Sequence, residues 1–488
     1  MRRDDQLHCL GHARSAGRSE TVYAVYGAMA VVCGLVLAIF ASLAGAHPHE
    51  SPSAPEADAS KPADAPESDE PASPHSHANV GTLDWEYSSL GVYGPTYTSP
   101  DEEHKLTLGL FVWFDNTFVT NDDLAEPLGL DEIEGDSRLR TARLELHGTY
   151  TDNFSYYFRV DFQDTGRGSG DARIDWGVLG IHDLPFAQNL LIGLQQPLYG
   201  LDLWAAYPRH RLMLEPSLVN AFYRGPLLGI TAFDVDMDRR ISWALGIARD
   251  TTEERVAGFQ AIDVDRGEGD GLIHGRLSWF PRYRERGRHM LHFGLSGAYL
   301  KPDDDVITFG FYPEIFTDNP ELFPLVTVND VGKSVLGVLE FRFAEGPFWM
   351  QSDYVYNQTS RDQAPDLSFD SFYVEAGYFL TGEQSVFSPL ALNGPVTPEP
   401  RVDPGEGEYG AFEIQARYSR LDLTDEEFQG GAFPGLNTRG AEVTNYTLGF
   451  NWYLNAHIKL GINYVHSVRE DLDDARYDAV QTRLAWHL

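Results

Sequence analysis

The sequence predicts an all-β chain, a sixteen-stranded antiparallel transmembrane β-barrel, and three observations predict it. From Lys105 onward the chain falls into alternating apolar and polar segments of about ten residues, the length and period of a strand crossing a bilayer. The segments number sixteen, an even count, as a single-chain bacterial barrel needs when both ends start from one side. The connections between them alternate long and short, which a soluble sandwich or propeller gives no reason to do.

Taken in order, the chain opens with an export signal. Arg2, Arg3, Arg14 and Arg18 precede an apolar run from Val22 to Leu43 and the small-residue site Ala44-Gly45-Ala46. Residues 1–46 are therefore expected to be a signal peptide. An uncleaved anchor is the alternative, since the run is long enough to span a bilayer. The only cysteines, Cys9 and Cys33, lie inside it, so the exported chain would carry no thiol chemistry or disulfide. Cys33 follows Ala30-Val31-Val32, which lacks the small residue that a lipoprotein site places just before its cysteine.

Residues 47–81 form a Pro/Ala/Ser/acidic stretch that cannot bury a core, and a disordered linker is expected. Its His47, His49, His75 and His77 could hold a transition metal, but solvated polar side chains suffice to explain them. Residues 82–104 are a lead-in, and residues 105–488 the barrel.

The strands are expected at roughly 105–119, 137–150, 154–164, 171–182, 189–197, 225–234, 240–248, 272–280, 289–300, 332–344, 346–356, 370–381, 408–420, 440–453, 457–469 and 477–488. In the run from Phe154 to Gln163 every even position is apolar, and the odd positions are Ser, Tyr, Arg, Asp and Gln. That pattern suits one face in lipid, one on a lumen, and aromatics at the interfaces. In the last strand Val480, Thr482, Leu484, Trp486 and Leu488 share the lipid face, and the chain ends Trp486-His487-Leu488 rather than on an aromatic. Odd connections (120–136, 198–224, 249–271, 301–331, 421–439) are long and should be extracellular, and even ones short and periplasmic. The long even connection 382–407 is the one exception.

The 37 basic and 73 acidic residues give a net charge of −36, which argues against a nucleic-acid partner. Residues 81–488 alone hold 32 basic and 63 acidic residues, many in the outer connections. Acidic loops raise the local cation concentration at a mouth, and they also suit bridging divalent ions between surface lipids. No catalytic signature is present: there is no H-E-x-x-H, G-x-S-x-G, P-loop or dinucleotide fingerprint. The acidic run from Asp263 to Gly271 lacks the ligand spacing of an EF-hand and reads as a solvated loop. No cofactor or metal site is assigned.

The run from Arg138 through Arg140-Thr141-Ala142-Arg143 to Thr149, followed by the aromatic strand 154–162, resembles the phosphate-selective porin O/P family. The likeness continues through Gly193-Leu194-Gln195-Gln196-Pro197, Leu201-Asp202, Glu215-Pro216-Ser217-Leu218-Val219-Asn220-Ala221-Phe222, and Tyr378-Phe379-Leu380-Thr381-Gly382-Glu383. It ends with Ala416-Arg417-Tyr418-Ser419-Arg420-Leu421 and the run from Asn445 to Asn455. It spans about 105–488 in order. No single stretch is specific; their collinearity is.

The resemblance implies an outer-membrane homotrimer of sixteen-stranded barrels with inward-folded loops, passing small inorganic ions or solutes by passive diffusion, phosphate among them. It also implies a long periplasmic turn after the Leu-Thr-Gly-Glu strand. Three positions depart from the phosphate-selective pattern. Thr141, Leu203 and Pro216 stand where an Arg, a Lys and an Arg look to be carried.

An anion leaving water needs positive charge and N–H donors, so candidates for a constriction are basic. Arg140 stands in the Arg138–Thr149 run. Parity turns Arg143 and Arg159 to the lumen beside Glu145 and Asp161, where a neutral salt-bridge ladder is the plainer reading. Arg209, His210, Arg211 and Arg224 lie in the loop expected to turn inward. Lys333 and Arg417 carry too little context to assign. A general or cation-leaning pore is the alternative to a phosphate channel. A structural or adhesin barrel and a barrel enzyme are the readings from other classes.

Overall fold

The computed structural model describes residues 82–87, 93–127, 133–162, 173–202, 212–249, 271–310, 313–316, 325–390, 393–428 and 440–487. The signal peptide and linker expected over 1–46 and 47–81 lie outside the described residues.

Sixteen antiparallel strands form the barrel. They are β1 His104–Asp122, β2 Asp136–Tyr150, β3 Phe154–Asp161, β4 Arg173–His182, β5 Asn189–Gln195, β6 Leu227–Asp236, β7 Ile241–Arg249 and β8 Gly271–Arg284. Then come β9 His289–Lys301, β10 Val331–Glu345, β11 Phe348–Arg361, β12 Leu367–Phe379, β13 Ala411–Asp422, β14 Glu442–Tyr453, β15 Ile458–Arg469 and β16 Ala475–His487. Each pairs with its sequence neighbour, and β16 closes on β1 from Tyr477↔Asp122 to His487↔Phe111. Closure leaves no free edge along the span where β16 and β1 pair, which is what a sheet in hydrocarbon requires. The sixteen expected strands match these one for one.

Alternation along each strand separates the two faces. On the outer face Leu277, Leu295 and Leu339 lie side by side on β8, β9 and β10, all exposed. Nearer the turns on the side of the chain ends, Trp279, Phe293 and Phe341 line up, with ring centroids 6.0 and 5.6 Å apart. At the opposite end Tyr418 meets Phe372 and Tyr446, centroids 5.6 and 5.2 Å apart. An aliphatic band between two aromatic girdles is the surface that matches a bilayer. In β16, Val480, Thr482, Leu484 and Trp486 share the outer face as expected, while Gln481 and Arg483 are buried inside.

The lead-in is itself a hairpin, Thr82–Tyr87 with Tyr93–Thr98. Its second strand pairs Thr96–Thr98 with Lys105–Thr107 of β1, the stretch of edge beyond the end of β16. The pairing continues the sheet past the seam between first and last strands.

Loop lengths follow the expected alternation less strictly than the sequence suggested. Two connections on the far side from the chain ends, 362–366 and 470–474, are as short as those on the near side. The strands flanking the first continue past their apolar alternation, to Arg361 and from Leu367, so residues read as loop are paired. The long near-side connection between β12 and β13 holds a hairpin, Gln384–Phe387 with Asn393–Thr397. By its contacts the chain divides into two compact units. The barrel lies in one (Pro74–Arg401 with Gly410–Leu488), and a short hairpin, Val402–Asp403 with Glu408–Tyr409, belongs to the other.

Three segments turn into the barrel. Residues 196–226, between β5 and β6, contribute Tyr199 and the short 3-10 turn Leu218–Phe222. Residues 302–330, between β9 and β10, contribute the hairpin Val306–Gly310 with Leu325–Asn329, which packs on that turn through Phe309 and Phe222. From the near side, Phe387 is fully buried among Phe280, Met290, Trp349 and Phe379. Filling the interior with apolar side chains in this way stabilises each infolded segment by roughly 1.5–3 kcal/mol per large side chain buried.

Candidate pore and constriction

The loop between β5 and β6 meets the wall in two limbs. In the first, residues 198–202, backbone amides point at wall acceptors. Leu198 N–H donates to His274 Nδ1 at 3.3 Å, and Gly200 N–H to Ser296 Oγ and Glu340 Oε1, both at 3.1 Å. Leu201 and Asp202 donate their N–H groups to Asp353 Oδ2 at 2.8 and 3.2 Å, and Tyr223 donates its hydroxyl there at 3.1 Å. Two wall carboxylates thus receive three successive amides, as a carboxylate with several lone pairs can. Gly200 has φ +71°, and a Cβ there would collide with the Tyr223 ring, so the turn requires glycine. Burial pushes the Tyr199 hydroxyl up to about 12, with the Arg224 amide and charge pulling the other way.

Behind this limb, Glu340 is held by Arg276, whose Nη2 lies 2.6 Å from Oε2, and by Ser296 Oγ at 2.6 Å. The loop also closes on itself: Asp202 accepts from the Ser217 amide at 2.6 Å, the Ser217 hydroxyl at 2.8 Å and Asn220 Nδ2 at 2.6 Å.

The second limb, residues 212–215, has the opposite polarity. Its carbonyls accept from the wall: Leu212 O from Asn451 Nδ2 at 2.8 Å, Leu214 O from Arg483 Nη1 at 2.6 Å, and Glu215 O from Arg417 Nη1 at 2.9 Å. The Glu215 carboxylate sits between Arg140 of β2, at 3.3 Å, and Arg483 of β16, with Gln481 Nε2 donating at 3.3 Å. Burial alone would raise its pKa, but the two guanidiniums prevail and hold it at about 2. Arg483 also pairs with Asp115, its cross-strand neighbour, at 2.6 and 2.8 Å, and stacks 4.2 Å over Trp113.

The loop between β9 and β10 adds a third contact. Pro313 O accepts from Asn445 at 3.1 Å and from Tyr477 at 2.7 Å, and Glu314 lies 3.4 Å from Arg417. Arg140 and Arg138 stand 3.9 and 4.4 Å over the Phe316 ring. From the near side, Arg276 donates to Leu390 O at 2.8 Å and Arg342 covers Phe387 at 4.4 Å.

The expected site residues fall as follows. Arg140 reaches the infolded loop through Glu215. Arg143 and Arg159 face inward: Arg143 bonds Asp161 at 2.7 Å, and Arg159 stands opposite Glu145, over Trp176 at 5.2 Å. Arg224 is half-buried and donates its amide to Tyr199 Oη at 3.0 Å. Arg209, His210 and Arg211 lie outside the described residues, as do the four linker histidines and the acidic run up to Asp270. Arg417, left unassigned from sequence, grips Glu375 at 2.5 Å, and Lys333 is exposed. Sequence reasoning missed Glu340, Asp353, Arg276 and Arg483, although strand parity turns each of them inward.

Among the described residues, nine buried Arg and Lys stand against ten buried Asp and Glu on the wall and its infolded loops. Among these buried groups the formal charges nearly balance, so the excess negative charge of the chain lies outside them. No group of three or more His, Cys, Asp or Glu is placed to hold a metal ion among the described residues.

A sequence model of the family described as "Phosphate-selective porin O and P" matches residues 120–487. Porin O of Pseudomonas aeruginosa is 23% identical over 398 residues, covering 75% of this chain and 82% of that protein. Among solved structures, the "anion-selective porin from Comamonas acidovorans" superposes with TM-score 0.47 at 11% identity, over 79% of this chain and all of that one. OmpT of Vibrio cholerae, in a trimer form, gives 0.45 at 8% identity, over 79% and 99%. Porins are outer-membrane diffusion channels of Gram-negative bacteria and not enzymes. The barrel described above, with its loops folded inward, belongs to the phosphate-selective porin O and P family.

Proposed function

We propose that the chain forms a passive pore for small hydrophilic ions and solutes with little preference for phosphate. One observation carries this reading: most of the buried guanidiniums among the described residues are paired with carboxylates. Arg276 is on Glu340, Arg417 on Glu375, Arg143 on Asp161, and Arg140 and Arg483 on Glu215. A guanidinium already bound to a carboxylate has fewer donors left to replace the hydration shell of a passing anion. Thr141, Leu203 and Pro216, neutral where the family pattern carries basic residues, support the same reading.

Phosphate selectivity is the second reading, supported by the family match and by Arg209 and Arg211 in the sequence between β5 and β6. Planar-bilayer conductance of the purified chain in KCl, titrated with inorganic phosphate, separates the two. Conductance that phosphate leaves unchanged supports the weakly selective pore. Saturable block overturns it in favour of the family's namesake function. Folded protein that conducts nothing would favour a structural or adhesin barrel. Assembly as a homotrimer belongs to this proposal, and the mass of the detergent-solubilised protein tests it.

A further inference from the structure

The cluster around Glu215 is built from parts far apart in sequence, and each part is charged or a hydrogen-bond donor. Arg140 comes from β2, Gln481 and Arg483 from β16, and Asp115 from β1. All are at most 3% exposed, so water screens them little. Without Glu215, the wall would present two guanidiniums and a side-chain amide converging on one point, with Asp115 beside them. That is a donor set for an oxyanion. The group occupying it belongs to the protein itself, carried in by the infolded loop and fixed there by the Leu214 and Glu215 carbonyl bonds to Arg483 and Arg417.

We infer that Glu215 is an internal anion occupying an oxyanion site formed by Arg140, Gln481 and Arg483, and that this occupancy sets the charge preference of the constriction. The inference rests on the pore reading above and deepens it. Relative to the wild type, removing Glu215 shifts the charge of the cluster by +1, removing Arg140 shifts it by −1, and removing both leaves it unchanged. A loop strap of purely mechanical importance would not follow that arithmetic.

The test uses the full-length chain purified from outer membranes, with zero-current potentials measured in a KCl gradient for wild type, Glu215→Gln, Arg140→Gln and the double variant. Heat-modifiable gel mobility reports that each is folded. The expected Cl⁻/K⁺ permeability ratio rises about fivefold for Glu215→Gln and falls by a similar factor for Arg140→Gln, the effect in water of one unit charge about 8–9 Å from the ion path acting in opposite senses on the two ions. The double variant returns to the wild-type ratio. Should Glu215→Gln not fold, the fall with Arg140→Gln carries the test alone. Ratios that stay at the wild-type value while conductance or noise rises would overturn the inference and leave Glu215 a strap. A wild-type protein that does not conduct would overturn the pore reading instead, a distinguishable failure.

Discussion

The two limbs of the loop between β5 and β6 rest on opposite sides of peptide chemistry. Residues 198–202 offer N–H groups, and the wall answers with the carboxylates of Glu340 and Asp353. Residues 212–215 offer carbonyls and the Glu215 carboxylate, and the wall answers with Asn451, Arg417, Arg140 and Arg483. Anchoring one loop at both limbs therefore consumes wall charge of both signs. This lowers the cost of burying the ionised groups named here, because each is held across the contact between loop and wall. It also accounts for the near balance of buried formal charges among the described residues of a strongly acidic chain: those charges hold the loops to the wall.

The comparison can be broken at either limb. The largest effects are expected from the wall partners. At the second limb, Arg483→Ala removes a guanidinium from both Asp115 and Glu215, leaving Asp115 with Gln481 and Glu215 with Arg140 and Gln481, and should cost roughly 3 kcal/mol. Urea unfolding in detergent micelles, followed by tryptophan fluorescence, reads this directly. At the first limb, Asp353→Ala orphans two amides and the Tyr223 hydroxyl and should cost about 3 kcal/mol. Asp353→Asn keeps an acceptor and should recover most of it; equal losses for the two variants would mean that a neutral acceptor oxygen is not enough to hold the limb.

Gly200→Ala sharpens the first limb further. Positive φ and the crowded Tyr223 ring should cost about 1–3 kcal/mol and appear as greater open-channel noise.

The smallest effect concerns pH. The Glu215 carboxyl sits at about 2, below its ordinary 4.5, so its contribution is complete above pH 4.5 and is lost as pH falls toward 2. Channel noise from this limb should stay flat from pH 7 to 5 and grow only below about 4.5. Growth already at pH 6 would contradict the clamp.

Much of the barrel was legible because lipid and lumen impose a strict period of two. The run from Phe154 to Asp161 could be assigned to its two faces residue by residue. Strand ends were not legible where chain outside the bilayer has no apolar face to advertise. Asn357 to Arg361 continue β11 as a paired but polar extension, so the sequence reads them as loop. The site was legible in part. Parity turned Arg143 and Arg159 inward, and the same parity, applied to β16, places Arg483 opposite Trp486. Its partner Glu215 lies 268 residues away, at a distance no local pattern reports. Glu215 stood in plain view beside Pro216, but a lone glutamate in a loop says nothing of the two arginines that await it.

The most direct test of the account is the zero-current potential of the wild-type channel in a tenfold KCl gradient, with and without inorganic phosphate. Guanidiniums neutralised by their own carboxylates predict a potential near zero or tilted toward K⁺, unmoved by phosphate. A potential close to the chloride limit, abolished as phosphate occupies the channel, would show that those charges are free to bind anions and would contradict it.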